Sequence, residues 1–171
     1  MDVNYGKFHR MDRLCQLGMI TAEGLLQNRS LSNDYESPKM GLVLANAASS
    51  LDTDRKHQAT IQDHDNYIPS PSVFVYTLPN IVAGEISIRN GFRGENAFFI
   101  FDEYEPAFLA DYTNRLLTTG KLDACVTGWV ELDGNHYDSF LYLVEREGQK
   151  SSLQWQKDHQ SSLLTQLYQQ R

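Results

Sequence analysis

Three acidic side chains, Asp102, Glu103 and Glu105, crowd the residues just ahead of Pro106. Carboxylates in such a place can complement the start of a helix, whose free N–H groups and macrodipole favour negative charge. One of them can also serve as a general base, but that role needs a partner and a closed pocket. The two cysteines are the other candidates for chemistry. Cys125 lies between Ala124 and Val126 in an apolar run, and Cys15 falls in a helical pattern, so both are expected to be buried, inert thiols. The five histidines, His9, His57, His64, His136 and His159, are scattered. No Cys or His pair has zinc-ligand spacing, so neither a metal nor a cofactor is expected.

The elements that must position these groups follow from periodicity and punctuation. Leu14, Leu17, Thr21 and Leu25 share one stripe of a helix expected between Met11 and Leu26, followed by a polar loop over 27–38. Gly41 to Ala48 is an apolar run suited to a strand buried on both faces. Thr53 to Asn66 is polar and compatible with a surface helix, Pro69 and Pro71 bracket a turn, and Val73 to Tyr76 reads as extended. Pro79 opens a helix to about Arg89, with Asn90-Gly91 as its stop.

Ala97 to Phe101 (AFFIF) is a continuous apolar strand, and Pro106 starts a helix with Leu109, Tyr112 and Leu116 on one face, ended by Gly120. Asp123 to Glu131 and Phe140 to Glu145 are two more strands. The stretch between them, with Asp133-Gly134, reads as too long and polar for a two-residue hairpin, which leaves their pairing open. Leu163, Leu164, Leu167 and Tyr168 make a docking stripe on a helix in the tail. This order predicts an α/β fold with mainly parallel strands.

Lys and Arg number 15 and Asp and Glu 22, for a net charge of −7, and 41% of the 171 residues are apolar. That describes a single acidic domain with no stripe of basic residues for phosphates, so no nucleic-acid partner is expected. Without an apolar run of membrane-spanning length or a signal-like N-terminus, a cytoplasmic protein with no membrane association is expected.

Several stretches, taken in order, resemble the N-terminal half of β-ketoacyl synthases, the thiolase-fold condensing enzymes of fatty-acid and polyketide synthesis. They are RMDRLCQLGMITAEGLL, GLVLANAASSLDTD, PSPSVFVYTLPNIVAGEISIRNGFRGENAFF, and GKLDACVTGWVEL with FLYLVERE. The likeness spans roughly residues 8–147 and is strongest over 69–99, where a proline-rich turn, the TLPN helix start, Gly84, Gly91 and Gly94-Glu95-Asn96 come together. It implies a thiolase-like half-domain over 1–147, with helices on both faces of a mainly parallel sheet, and a helical tail over 148–171. Asn80, Gly84 and Gly94 match the family, yet a helix start, close packing and a turn of unusual backbone angles account for them locally.

Two departures bear on function. Counting forward from Gly94-Glu95-Asn96 puts Glu103 where the family's nucleophilic cysteine stands, at the start of a buried helix. A thiolate there is activated by the helix terminus and attacks an acyl thioester, whereas a carboxylate would give only a reactive anhydride. The family's two histidines belong to a C-terminal half that these residues do not reach, and no histidine here lies in a matching context. The pattern also begins after the family's first strand, so the sheet must close up or borrow one.

The resemblance therefore implies no catalytic residue, with Asp102, Glu103 and Tyr104 as a relic pocket. Phe98, Phe99, Ile100 and Phe101 are expected at a dimer interface, because in the condensing enzymes this strand pairs across the twofold. The function expected is an inactive accessory or chain-length-factor-like subunit, as a homodimer or with a full-length ketoacyl synthase, and with acyl carrier protein as a further partner. The alternatives are a small enzyme using Glu103 for thioester hydrolysis or malonyl decarboxylation, and a carrier-protein-binding module. The −7 charge counts against the last, since carrier proteins are usually acidic too.

Overall fold

A computed structural model describes residues 5–27, 29–65, 67–146 and 159–171. Along the chain run α1 (Arg13–Leu26), β1 (Met40–Asn46), α2 (Leu51–Ile61), α3 (Pro71–Val75), α4 (Ile81–Asn90), β2 (Asn96–Ile100), α5 (Pro106–Thr118), β3 (Ala124–Asp133), β4 (His136–Glu145) and α6 (Ser161–Gln169). Part of the expected helical tail, residues 148–158, lies outside the described residues.

The strands form one sheet in the order β2-β1-β3-β4. β1 runs parallel to both neighbours, with Val43 opposite Ala97 on one side and opposite Thr127 on the other. Only β4 is antiparallel, so the expected α/β fold with a mainly parallel sheet is the one observed. β1 and β3 pair directly, from Met40↔Ala124 to Ala45↔Trp129.

Every residue of β1 is buried, because helices cover both faces of this central strand. Leu42, Leu44, Val126 and Val130 face α1 and α4 in one core. Val43, Ala45, Cys125 and Trp129 face α5 in the other. At about 2 kcal/mol for each fully buried Leu or Val, these alternating residues dominate the stability of the sheet.

Asp12 caps α1, accepting from Cys15 N at 2.9 Å through one oxygen and from Thr53 Oγ1 at 2.7 Å through the other. The buried stripe of α1 is Cys15, Gly18, Met19, Ala22 and Leu26 with Leu14, while Leu25 is exposed. The helix is rotated from the leucine stripe because small residues set its closest approach. A Cβ on Gly18 would fall 2.5 Å from Val82 Cγ2 of α4.

Other expectations need correcting. Residues 73–76 are not extended: Ser70 caps the short helix α3 by accepting from Val73 N, with Pro71 in its first turn. The β3–β4 connection is a two-residue hairpin after all, with Asp133 opposite His136 and Gly134 at φ 57°. The polar HYDS stretch that looked like loop is the start of β4, with His136 and Tyr137 exposed and Asp138 and Ser139 partly buried. Gly84 packs against nothing that a Cβ would meet. Gly94 is required by close approach and not by unusual angles, since a Cβ there would lie 2.7 Å from Met40 O.

The helix expected to be buried, α5, is amphipathic. Leu109, Ala110, Thr113, Leu116 and Leu117 face the sheet. Asp111 and Arg115, paired at 3.3 Å, lie about three-quarters exposed on the opposite side. A helix buried all round would be apolar all round, so α5 closes its layer toward solvent. No helix among the described residues is long and apolar enough to cross a membrane.

Candidate functional site

In a parallel sheet, ligand sites gather outside the carboxyl ends of the strands. Here the ends of β1, β2 and β3 lie side by side, with Asn46 opposite Ile100 and Ala45 opposite Trp129. Phe101 N donates to Asn46 O at 3.0 Å, which carries the β2 chain into the turn at 102–105.

That turn divides its side chains. Asp102 and Glu103 are exposed, and no hydrogen bond to either carboxylate occurs among the described residues. Glu105 is the N-cap of α5 through its backbone, its O accepting from Leu109 N at 3.1 Å, without a side-chain capping bond. Tyr104 turns the other way, into an aromatic group with Trp129, Phe140 and Tyr168. Its hydroxyl is buried without a hydrogen-bond partner, and burial raises its pKa.

Phe98, Phe99, Ile100 and Phe101 belong to the edge of the sheet, for β2 pairs only with β1. Phe98 leans on the α1/α4 core, Phe99 and Phe101 lean on the α5 core, and Ile100 is 54% exposed. Phe99, Phe101, Phe108 and Tyr112 form a continuous ring cluster beside this edge, with Phe99 and Phe108 centred 4.8 Å apart.

Neither cysteine is placed for chemistry. Cys15 is 2% exposed and its thiol pKa is pushed up by burial, then by the nearby Asp12 carboxylate. Cys125 is fully buried, its pKa pushed up by burial to about 12. No group of three or more His, Cys, Asp or Glu side chains that could hold a metal ion occurs among the described residues.

Two polar arrangements escaped the sequence reading. Glu131, 6% exposed at the end of β3, accepts from Ala47 N at 2.6 Å and Ala48 N at 3.1 Å. With Asn46, which brackets Ser49 through bonds of 2.8 and 3.0 Å, it holds the β1–α2 turn, where Ser49 takes φ 54°. Its only sequence signal is an acid ending the apolar pattern VTGWV. The second is His159, whose Nδ1–H donates to Asn114 Oδ1 at 2.8 Å and leaves Nε2 as acceptor for Tyr142 Oη at 3.4 Å. Burial lowers its pKa to about 4, so the ring is neutral at pH 7.

Comparison with known proteins matches this architecture. The family model for the β-ketoacyl synthase N-terminal domain fits residues 4–99, more than half of the chain. The 3-oxoacyl-[acyl-carrier-protein] synthase 2 of Vibrio cholerae serotype O1 is 26% identical over 164 residues, covering 91% of this chain and 39% of that protein. Among solved structures, the ishigamide ketosynthase/chain length factor superposes with a TM-score of 0.69 at 19% identity, over 85% of this chain and 46% of the other. A type II PKS acyl-carrier protein in complex with its ketosynthase bound to the hexaketide gives 0.57 at 14% identity, over 70% and 31%. The chain thus spans less than half the length of each of these relatives. By the matched domain and the thiolase-like sheet it forms, the chain belongs to the β-ketoacyl synthase family.

Proposed function

We propose that this chain is a non-condensing member of its family. It acts through protein contacts as an accessory or chain-length-factor-like partner of a full-length ketoacyl synthase in fatty-acid or polyketide-type synthesis. The observation that carries this reading is Glu103, an exposed carboxylate with no hydrogen-bond partner among the described residues, at the position that the resemblance assigns to the nucleophile. An acyl group needs a thiolate there, and both thiols of the chain are buried and held protonated. A general base needs a partner and exclusion from water, and Glu103 has neither.

The β2 edge supports association. It is short and apolar, without the charge, proline or bulge that guards a free edge. Antiparallel pairing with the matching strand of a synthase would satisfy its outer N–H and C=O groups and cover Ile100 and the neighbouring aromatic cluster. An acyl carrier protein enters this reading through the synthase partner, since like charge disfavours direct contact with a chain of net charge −7.

The test is co-expression with a full-length ketoacyl synthase of the same host, sizing by light scattering, and a condensation assay with acyl- and malonyl-carrier proteins. The expected result is a stoichiometric complex whose product length differs from that of the synthase alone. Condensation by the isolated chain, or its acylation at a defined side chain, would overturn the proposal.

A further inference from the structure

α3 is an apolar helix that buries none of its residues. Its sequence is PSVFV, yet Phe74 and Val75 face solvent, and with the neighbouring Tyr67, Ile68 and Leu78 they are between 46% and 67% exposed. Their backbone holds them there. Ile68 N donates to Thr60 O of α2 at 3.1 Å, and the Phe74 ring lies 5.4 Å between centroids from His57, three residues before Thr60. At the other end Ser50 Oγ donates to Thr77 O at 2.6 Å. Ile68 and Phe74 thus flank the last turns of α2 on a segment pinned on both sides. Single exposed apolar side chains are ordinary, but five gathered along one segment make a patch of the several-hundred-Å² kind that marks an interaction site.

The free charges around this patch have one sign. No Lys or Arg occurs between His57 and Ile88. Asp63 and Asp65, in the connection from α2 to the patch, are exposed and enter no ion pair among the described residues. The nearest cations in the chain, Arg55 and Lys56, are already paired with Asp133 and Asp52. Negative charge beside exposed apolar side chains repels an anionic lipid surface and an acidic carrier protein. A second copy would bring the same acids, on a chain of net charge −7. The complementary partner is basic.

We propose that the surface formed by Tyr67, Ile68, Phe74, Val75 and Leu78 docks a basic, amphipathic helix of a partner protein. The surface is built from α3 and the turns around it and contains no strand, so an extended peptide would find no free ladder to join. A helix with apolar anchors at i, i+3, i+4 and i+7 covers the exposed side chains, and Lys or Arg at its margins reach Asp63 and Asp65. Apolar burial supplies the affinity, while the carboxylates select the sign of the partner and speed the encounter. None of these residues belongs to the β2 edge, and the surface stands whether or not the chain partners a synthase.

The experiment uses the full chain and two fluorescein-labelled peptides of about eighteen residues, long enough to hold a helix. One is built of Leu and Lys with its leucines at i, i+3, i+4 and i+7, and the other has Glu in place of every Lys. Anisotropy titrations at low salt are expected to show one Lys peptide bound per chain and at least tenfold weaker binding of the Glu peptide. Ile68→Ser with Phe74→Ser is expected to weaken the Lys peptide at least tenfold. Asp63→Asn with Asp65→Asn is expected to weaken it about fivefold and to lessen its sensitivity to salt. Ile88→Ser, which removes an isoleucine 71% exposed on α4, should leave binding unchanged. Equal binding of the two peptides, binding that survives Ile68→Ser with Phe74→Ser, or an equal loss with Ile88→Ser would each overturn the proposal. So would a dimer in light scattering, or adhesion to phosphatidylglycerol vesicles, that the same double variant abolishes, since another occupant would then hold the surface. Should the double variant not fold, Ile68→Ser alone and the aspartate pair decide the matter.

Discussion

Tyr168, in α6, packs its ring against that of Tyr104, the residue immediately after Glu103, with centroids 4.3 Å apart and planes tilted by 31°. The turn at 102–105 is thus held by α6, with one side chain drawn inward and its acidic neighbours left in water. Several measurable consequences come from that arrangement and from the packing around it.

Glu103 is exposed and its side chain makes no hydrogen bond among the described residues, so Glu103→Gln is expected to change stability by less than about 0.5 kcal/mol in urea unfolding. Glu103→Cys is the more informative variant. It places a thiol in an exposed turn ahead of a helix N-terminus, and one equivalent should react with iodoacetamide in the native state with an apparent pKa below the ordinary thiol value. The parent chain, with Cys15 and Cys125 buried, should show no fast-reacting thiol.

The neutral His159 ties α6 to a pH range. Its folded pKa of about 4 lies below the ordinary 6.5. The unfolded chain therefore takes up the proton first, and the stability gained from burying the neutral ring, full above pH 6.5, is lost as pH falls toward 4. Allowing for the partial exposure of the ring, the loss should be on the order of 2 kcal/mol. Melting curves from pH 7 to pH 4 should show it in the parent chain and show it reduced in His159→Gln. An identical pH profile in both would refute the assignment.

Glu131 satisfies two backbone N–H groups at the β1–α2 turn. Glu131→Ala leaves both without a partner and is expected to cost about 2–4 kcal/mol in denaturant unfolding. Glu131→Gln, which keeps an acceptor, should cost about half as much. The reverse order of the two losses would exclude this role.

Gly128 takes φ 146° in β3, and a Cβ there would stand 2.0 Å from Phe140 O. Gly128→Ala should cost about 3 kcal/mol or more, because backbone strain adds to a clash with backbone that cannot give way. A melting temperature within a degree or two of the parent would contradict that reading.

Ile100→Lys places a charge on the free β2 edge, where Ile100 is 54% exposed. Lysine is a common guard of exposed edges, so the variant should remain folded by circular dichroism and lose association at least tenfold in sedimentation or light scattering. Unchanged association would place the contact elsewhere on the surface.

Much of this molecule was legible in its residue order wherever a local cause suffices. The continuous apolar runs at β1 and β2 announce strands covered on their faces, Pro106 and Gly120 bracket α5, and a cysteine between Ala124 and Val126 has no route to solvent. Other features depend on residues that meet only after folding. The α1 stripe turned out to centre on Gly18 and Ala22 because the neighbouring helix α4 sets the closest approach, and periodicity within α1 does not contain that neighbour. The hairpin at Gly134 looked like a longer loop because β4 opens on two exposed residues, His136 and Tyr137, within a polar stretch. Glu131 with the amides of Ala47 and Ala48, and His159 with Asn114 and Tyr142, are pairings across 17 to 84 positions. By itself the sequence determined the strands and the longer helices, their order and the carboxylate at 103, since dihedral preference and apolar spacing act over a few residues. Which helix faces are buried, which polar groups are satisfied and what covers Tyr104 were decided by the tertiary structure alone, because burial and hydrogen-bond pairing depend on neighbours that only the sheet brings together.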